Sequence, residues 1–152
     1  MIGMMTGSFD PITLGHIALL NAAKPRFDQV YVALLVNPDK EYLFDLDTRI
    51  EMCRAALADR PDVEVVAYDG WTTDLAKQLK VDRLIRGVRD EVDLAYEQEM
   101  AAYNAAHGVE TLILHTDSTI SSTEARGKLA EGDYSDIPAP CVPIVERYLA
   151  RS

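Results

Sequence analysis

The sequence is poor in several things, and each shortage narrows what the chain can do. It has two cysteines, Cys53 and Cys141, among 152 residues. Two thiols make neither a disulfide framework nor a metal-ligand set. They suit a reducing compartment, so a cytoplasmic protein is expected. No apolar run reaches the roughly 20 residues that a membrane-spanning helix needs, so no membrane partner is expected. The opening "MIGMMTGSFDP" has no basic stretch followed by an apolar one, so no secretion signal is read there. Positive charge is scarce: 15 Lys and Arg stand against 25 Asp and Glu, a formal net charge of −10. A broad basic face for nucleic acid is thereby excluded. A phosphorylated small molecule is not, provided the few cations and some backbone N–H groups converge on one cleft. Internal repeats and low-complexity linkers are absent, and neither GxxxxGK[ST] nor GxGxxG occurs.

What is present is an alternation of two periods. With 48% hydrophobic residues, the length suits one domain spanning 1–152. Short β-rich runs stand at 2–5, 30–35, 63–68, 83–86 and 111–114. Helical spacing separates them, at 15–24, 46–58, 73–80, 90–106 and 122–131, with a last helix starting near Pro140 or Pro143. Along 90–106 the spacing puts Val92, Tyr96 and Tyr103 on one side and acids on the other. Such alternation predicts right-handed βαβ units. The expected fold is α/β: a doubly wound parallel sheet of about five strands with helices on both faces. Ligands of such sheets bind beyond the carboxyl ends of the strands.

The stretch "TGSFDPITLGH" (6–16) follows the first strand and opens the first helix. Gly7 removes a Cβ at the turn, Asp10-Pro11 is a turn signal, and Gly15 allows close approach of a ligand to the helix start. His16 falls in the first helical turn, where free N–H groups and the helix dipole favour an anion. Ser8, backbone amides and His16 together can hold a phosphate. Arg86 ends an apolar strand and Arg89 follows it across Gly87 and Val88. Lys40 comes from the loop after the second strand. All three cations fall on the ligand-binding rim, and arginine's planar fork suits phosphate. Ser121 and Glu124 have capping-box spacing. The same helix start, with Ser122 and Thr123, is also a phosphate seat. Glu97 is open between a solvated helix face, a partner for a sugar hydroxyl, and an acid that orients an arginine.

"GSFDPITLGH" resembles the (T/H)xGH signature of the nucleotidyltransferase superfamily, here Thr13-Leu14-Gly15-His16. "LIRGVRDEVDLAYEQEMAAYN" (84–104) resembles the corresponding stretch of the bacterial phosphopantetheine adenylyltransferases. It carries Arg86, Gly87, Arg89, Asp93, Tyr96, Glu97, Met100, Ala101 and Asn104 at that family's spacing. "NPDKEYLF" (37–44) is similar to its NPxK segment, and "TISSTEARGKL" (119–129) to its ISS segment. The resemblance implies a Rossmann-like fold and transfer of the adenylyl group of ATP to 4'-phosphopantetheine with Mg²⁺, in a homohexamer. It implies catalytic roles for His16, Lys40 and Arg89, and an acceptor site of Ser8, Lys40, Thr72 and Arg86. It implies ATP contacts from Ser8, Phe9, His16, Gly87, Val88, Arg89, Glu97, Asp117, Ser118, Thr119, Ile120, Ser121, Ser122 and Thr123.

The chain departs from that family's pattern in four places. Thr6-Gly7-Ser8 stands for Pro-Gly-Thr, Glu41-Tyr42 for Lys-Pro, and Leu94-Ala95-Tyr96-Glu97 for FEYE. "GWTTD" (70–74) replaces a more apolar segment. "ISSTEAR" is equally close to the nicotinate mononucleotide adenylyltransferases. Two alternatives therefore stay open: a related transferase with another phosphate acceptor, such as nicotinate mononucleotide, and a nucleotide-binding sensor without catalysis.

Overall fold

The structure, a computed structural model, describes residues 1–151. Five strands form one sheet: β1 (Ile2–Gly7), β2 (Gln29–Leu35), β3 (Val63–Tyr68), β4 (Arg83–Val88) and β5 (Glu110–His115). All pair in parallel, in the order β3-β2-β1-β4-β5. The chain builds outward from β1 to β3, then crosses back to lay β4 on the other side of β1. The switch point between β1 and β4 opens a crevice at their carboxyl ends.

Among the described residues six α-helices connect or follow the strands: α1 (Leu14–Ala23), α2 (Leu46–Ala56), α3 (Thr72–Gln78), α4 (Glu91–Ala106), α5 (Ser122–Ala130) and α6 (Val142–Ala150). Four start on a side-chain cap: Thr13 for α1, Asp45 for α2, Asp90 for α4 and Ser121 for α5. Each cap accepts one of the amide donors that a helix start leaves unpaired. The expected doubly wound sheet is what forms, and its elements lie within a few residues of the periods read from the sequence.

Alternation along β1 sends Met4 and Met5 to opposite faces. Met5 joins Phe9, Leu20, Val30, Val32, Phe44, Met52, Ile85 and Val145 in the larger core cluster. Met4 joins Ala33, Leu75, Ala76, Leu84 and Val109 in the smaller. Cys53 and Cys141 are both free and buried within the larger cluster. Burial pushes the Cys141 thiol up to about 12 and the Cys53 thiol higher still.

Helix α4 reverses the polarity its pattern suggests. Its one buried residue is the acid Glu97. Val92, Tyr96, Met100 and Tyr103 are 80%, 60%, 39% and 47% exposed. Arg86 draws Glu97 inward, and these apolar side chains remain exposed among the described residues.

Candidate active site

The crevice at the sheet's switch point holds a cavity of about 340 Å³. Its walls come from β1 (Met5, Thr6, Gly7), α1 and its cap (Thr13, Gly15, His16, Leu19), β4 (Ile85, Arg86, Gly87) and the segment after β5 (Thr116, Ser118, Ile120, Ser121, Ser122). Arg89, Asp93 and Glu97 complete it. A second cavity, of about 180 Å³, lies on the other side of Arg86. Thr6, Leu35, Thr72, Leu84, Tyr96, Met100, Asn104 and Thr111 line it. Thr6, Arg86 and Glu97 are common to both.

His16 has a defined role in the geometry. Thr13 caps α1, accepting the His16 amide at 3.4 Å, while the His16 Nδ1 accepts the Thr13 backbone N–H at 2.9 Å. An accepting Nδ1 carries no proton, so the remaining proton sits on Nε2. Burial, then the charge of Arg86, holds the imidazole down to about 4. His16 is therefore a neutral donor through Nε2. The ring of Phe9 packs on it with centroids 4.7 Å apart.

Arg86 is fixed on three sides. Its Nε and one terminal nitrogen donate to both oxygens of Glu97 at 3.0 and 2.8 Å. The other terminal nitrogen donates to the Thr6 carbonyl at 2.8 Å. Of the three readings left open for Glu97, the structure realises the one in which it orients an arginine. Such a fork-to-fork pair fixes the plane of the guanidinium. Arg89 is more loosely held, 3.5 Å from Asp93 and 3.4 Å from the Thr119 carbonyl.

At the rim, Lys40 Nζ donates to Ser8 Oγ at 3.0 Å. Buried Arg49 donates to the carbonyls of Ser8 and Phe44. Asp10 accepts the amides of Leu43 and Phe44 at 2.9 Å. The loop that carries Lys40 is thus bound to the turn after β1.

Among curated proteins, the chain is 39% identical over 134 residues to the phosphopantetheine adenylyltransferase of Flavobacterium psychrophilum, covering 85% of this chain and 89% of that protein. It is 39% identical over 136 residues to that of Cutibacterium acnes, covering 87% of each. The model of the family described as cytidylyltransferase-like matches residues 4–128. The chain belongs to the phosphopantetheine adenylyltransferase family. A solved structure from Vibrio parahaemolyticus, assigned as a nicotinate-nucleotide adenylyltransferase, superposes with a TM-score of 0.72. It covers 95% of this chain and 97% of that one. At 17% identity that likeness shows the fold alone.

The fold gathers most of the residues that the family resemblance singles out. His16, Arg86, Gly87, Arg89, Glu97, Ser118, Ile120, Ser121 and Ser122 line the larger cavity, and Thr72 lines the smaller. Ser8 and Lys40 meet at the rim, outside both linings. Phe9 and Val88 are buried and line neither cavity, so they shape the site from beneath, Phe9 through its ring packed on His16. Asp117, Thr119 and Thr123 are exposed and stand behind the lining, where Thr119 receives Arg89 and Thr123 receives Arg126.

Two glycines act otherwise than their sequence context suggests. The residue that turns left-handed is Phe9, with φ 49°, while Gly7 ends β1. A Cβ on Gly15 would lie 2.7 Å from the Ile120 carbonyl, so this glycine admits the chain's own loop. Thr6, Asp93, Arg49 and Asp10 escape a sequence reading as site residues. Thr6 and Arg86 lie 80 positions apart, and no local pattern signals that pairing.

Proposed function

We propose that this chain transfers the adenylyl group of ATP to 4'-phosphopantetheine, releasing dephospho-coenzyme A and pyrophosphate. One observation carries the reading: two cavities meet at a single oriented guanidinium, Arg86, beside the neutral donor His16. The larger, ringed by His16, Arg89 and the α5 start, suits a triphosphate. The smaller, with Leu35, Leu84 and Met100 beside Thr72, Asn104 and Thr111, suits an arm with both apolar and amide groups.

An acceptor phosphate oxygen attacks the α-phosphorus in line. The new P–O bond forms as the bond to the β-phosphate oxygen breaks, and that oxygen leaves with pyrophosphate. A phosphate monoester has a second pKa near 6 and is anionic at neutral pH, so no strong base is required. Catalysis then consists of positioning and of stabilising charge. His16 Nε2–H donates to the α-phosphoryl oxygens as charge grows there. Lys40, with Ser8, and Arg86 hold the acceptor phosphate. Arg89 and the start of α5 hold the β- and γ-phosphates at a helix N-terminus.

Mg²⁺ would neutralise the triphosphate. Among the described residues no group of three or more His, Cys, Asp or Glu forms a ligand set, so phosphate oxygens and water would be its main ligands. No helix among the described residues is long and apolar enough to cross a membrane. The exposed stripe on α4 supports a homo-oligomer, the family resemblance supports a hexamer, and two free, buried cysteines suit the cytoplasm.

The test is pyrophosphate release with Mg-ATP and three acceptors: phosphopantetheine, nicotinate mononucleotide and glycerol phosphate. Release with phosphopantetheine alone is expected. Release only with another acceptor would overturn the substrate. ATP binding without release from any acceptor would overturn the reaction.

A further inference from the structure

The loop that carries Lys40 contains a residue with no place in the reading so far. Tyr42 is half-buried, and its ring lies against two cations. The Arg49 guanidinium carbon is 3.9 Å from the ring centroid. Lys40 Nζ is 5.4 Å from it. The Tyr42 hydroxyl accepts the backbone N–H of Asn37 at 3.1 Å. Asn37 in turn receives the Lys40 amide on its carbonyl and the Asp39 amide on its side chain. Tyr42 thus closes the loop at its base and faces the ammonium with its ring.

We infer that Tyr42 is a positioning residue for Lys40, holding its ammonium at Ser8 in the place where the acceptor phosphate is to be met. This rests on the reading of Lys40 as a phosphate ligand. Lys40 is exposed and carries a flexible four-carbon stem. One hydrogen bond to Ser8 leaves that stem free to swing about a single point. The face of an aromatic ring attracts a cation within about 6 Å and supplies a second point. The ring is itself immobilised, because Arg49 under it is buried and tied to the carbonyls of Ser8 and Phe44. Ser8, Arg49, Tyr42 and Lys40 therefore form a closed circuit that ends on two of Lys40's contacts. Lys40 keeps donors free for an anion, since an ammonium has three.

The test is a double-mutant cycle on the full-length enzyme with steady-state kinetics in both substrates. Tyr42→Leu keeps apolar cover over Arg49 but removes the ring; Tyr42→Phe keeps the ring. Tyr42→Leu is expected to lower kcat/KM for phosphopantetheine about three- to fivefold, the scale of one exposed cation–π contact, with the KM for ATP unchanged. Tyr42→Phe should recover most of that loss. In a Lys40→Met background, Tyr42→Leu should have almost no further effect on kcat/KM. An equal loss in both backgrounds would overturn the inference, as would equal behaviour of the Leu and Phe variants. Wild-type activity in Lys40→Met alone would overturn the underlying assignment of Lys40, and the inference with it. Thermal midpoints of all variants separate these outcomes from partial unfolding.

Discussion

Acidification should destabilise this protein through His16, by an amount that can be worked out. The imidazole is held at about 4 in the folded chain, against about 6.5 when unfolded. Between those values the unfolded chain takes a proton that the folded chain refuses. Stability is thus fully present above pH 6.5 and is lost as pH falls from there toward 4. The linkage amounts to about 2 kcal/mol at pH 5 and about 3 kcal/mol at pH 4. The geometry supplies a reason beyond burial. Nε2 already carries its proton, so protonation must occur at Nδ1, which would break the hydrogen bond from the Thr13 amide. His16→Gln places an amide N–H near the position of Nε2 without a titrating ring. Urea unfolding at pH 7 and pH 5 is the assay. The wild type should lose about 2 kcal/mol more than His16→Gln between the two. Equal losses would refute the reasoning, because His16 would then titrate alike folded and unfolded. Stability is a cleaner readout than rate here, since the acceptor phosphate itself titrates near pH 6.

The remaining predictions concern the donors, the loop and the exposed helix. His16→Ala removes one oriented donor and should lower kcat by about 10²–10³ with little change in either KM; an unchanged kcat in steady-state assays removes His16 from the mechanism. Arg86→Lys forfeits the fork that Glu97 and Thr6 hold, and kcat/KM for phosphopantetheine should fall about tenfold or more. Equal values for the two proteins would mean that a point charge suffices there. Gly15→Ala drives a methyl against the Ile120 carbonyl and should cost about 1–3 kcal/mol by denaturant titration. The KM for ATP should rise with it as the 118–122 segment is displaced. Val92→Glu with Tyr103→Glu should give a smaller species by analytical ultracentrifugation; an unchanged mass would place the subunit interface elsewhere.

The α/β architecture was legible because hydrophobic periods report it directly. "VYVALL" reads as a strand, and "LDTRIEMCRAALA" as a helix, without knowledge of any partner. The site was legible in part for the same reason: the Thr13 cap, Gly15 and His16 lie within four residues, and Arg86 and Arg89 within four. Local chemistry sufficed to place them at a strand-to-helix junction.

Other parts depend on residues far apart in the chain. A carboxylate's partner is set by which strands lie side by side, and the order β3-β2-β1-β4-β5 is not written in any one segment. That order brings Thr6 to Arg86 and lets α4 turn Glu97 inward, leaving Val92 and Tyr103 in solvent. It also places Asp10 under the amides of Leu43 and Phe44, and Arg49 under Ser8. The sequence by itself determined the elements, the cations available and their nearness to strand ends, since these follow from spacing and composition. Only the tertiary structure decided the protonation of His16, the orientation of Arg86 and the anchoring of Lys40. Each of these is an electrostatic or hydrogen-bonded property of groups that become neighbours only when the sheet closes around its switch point.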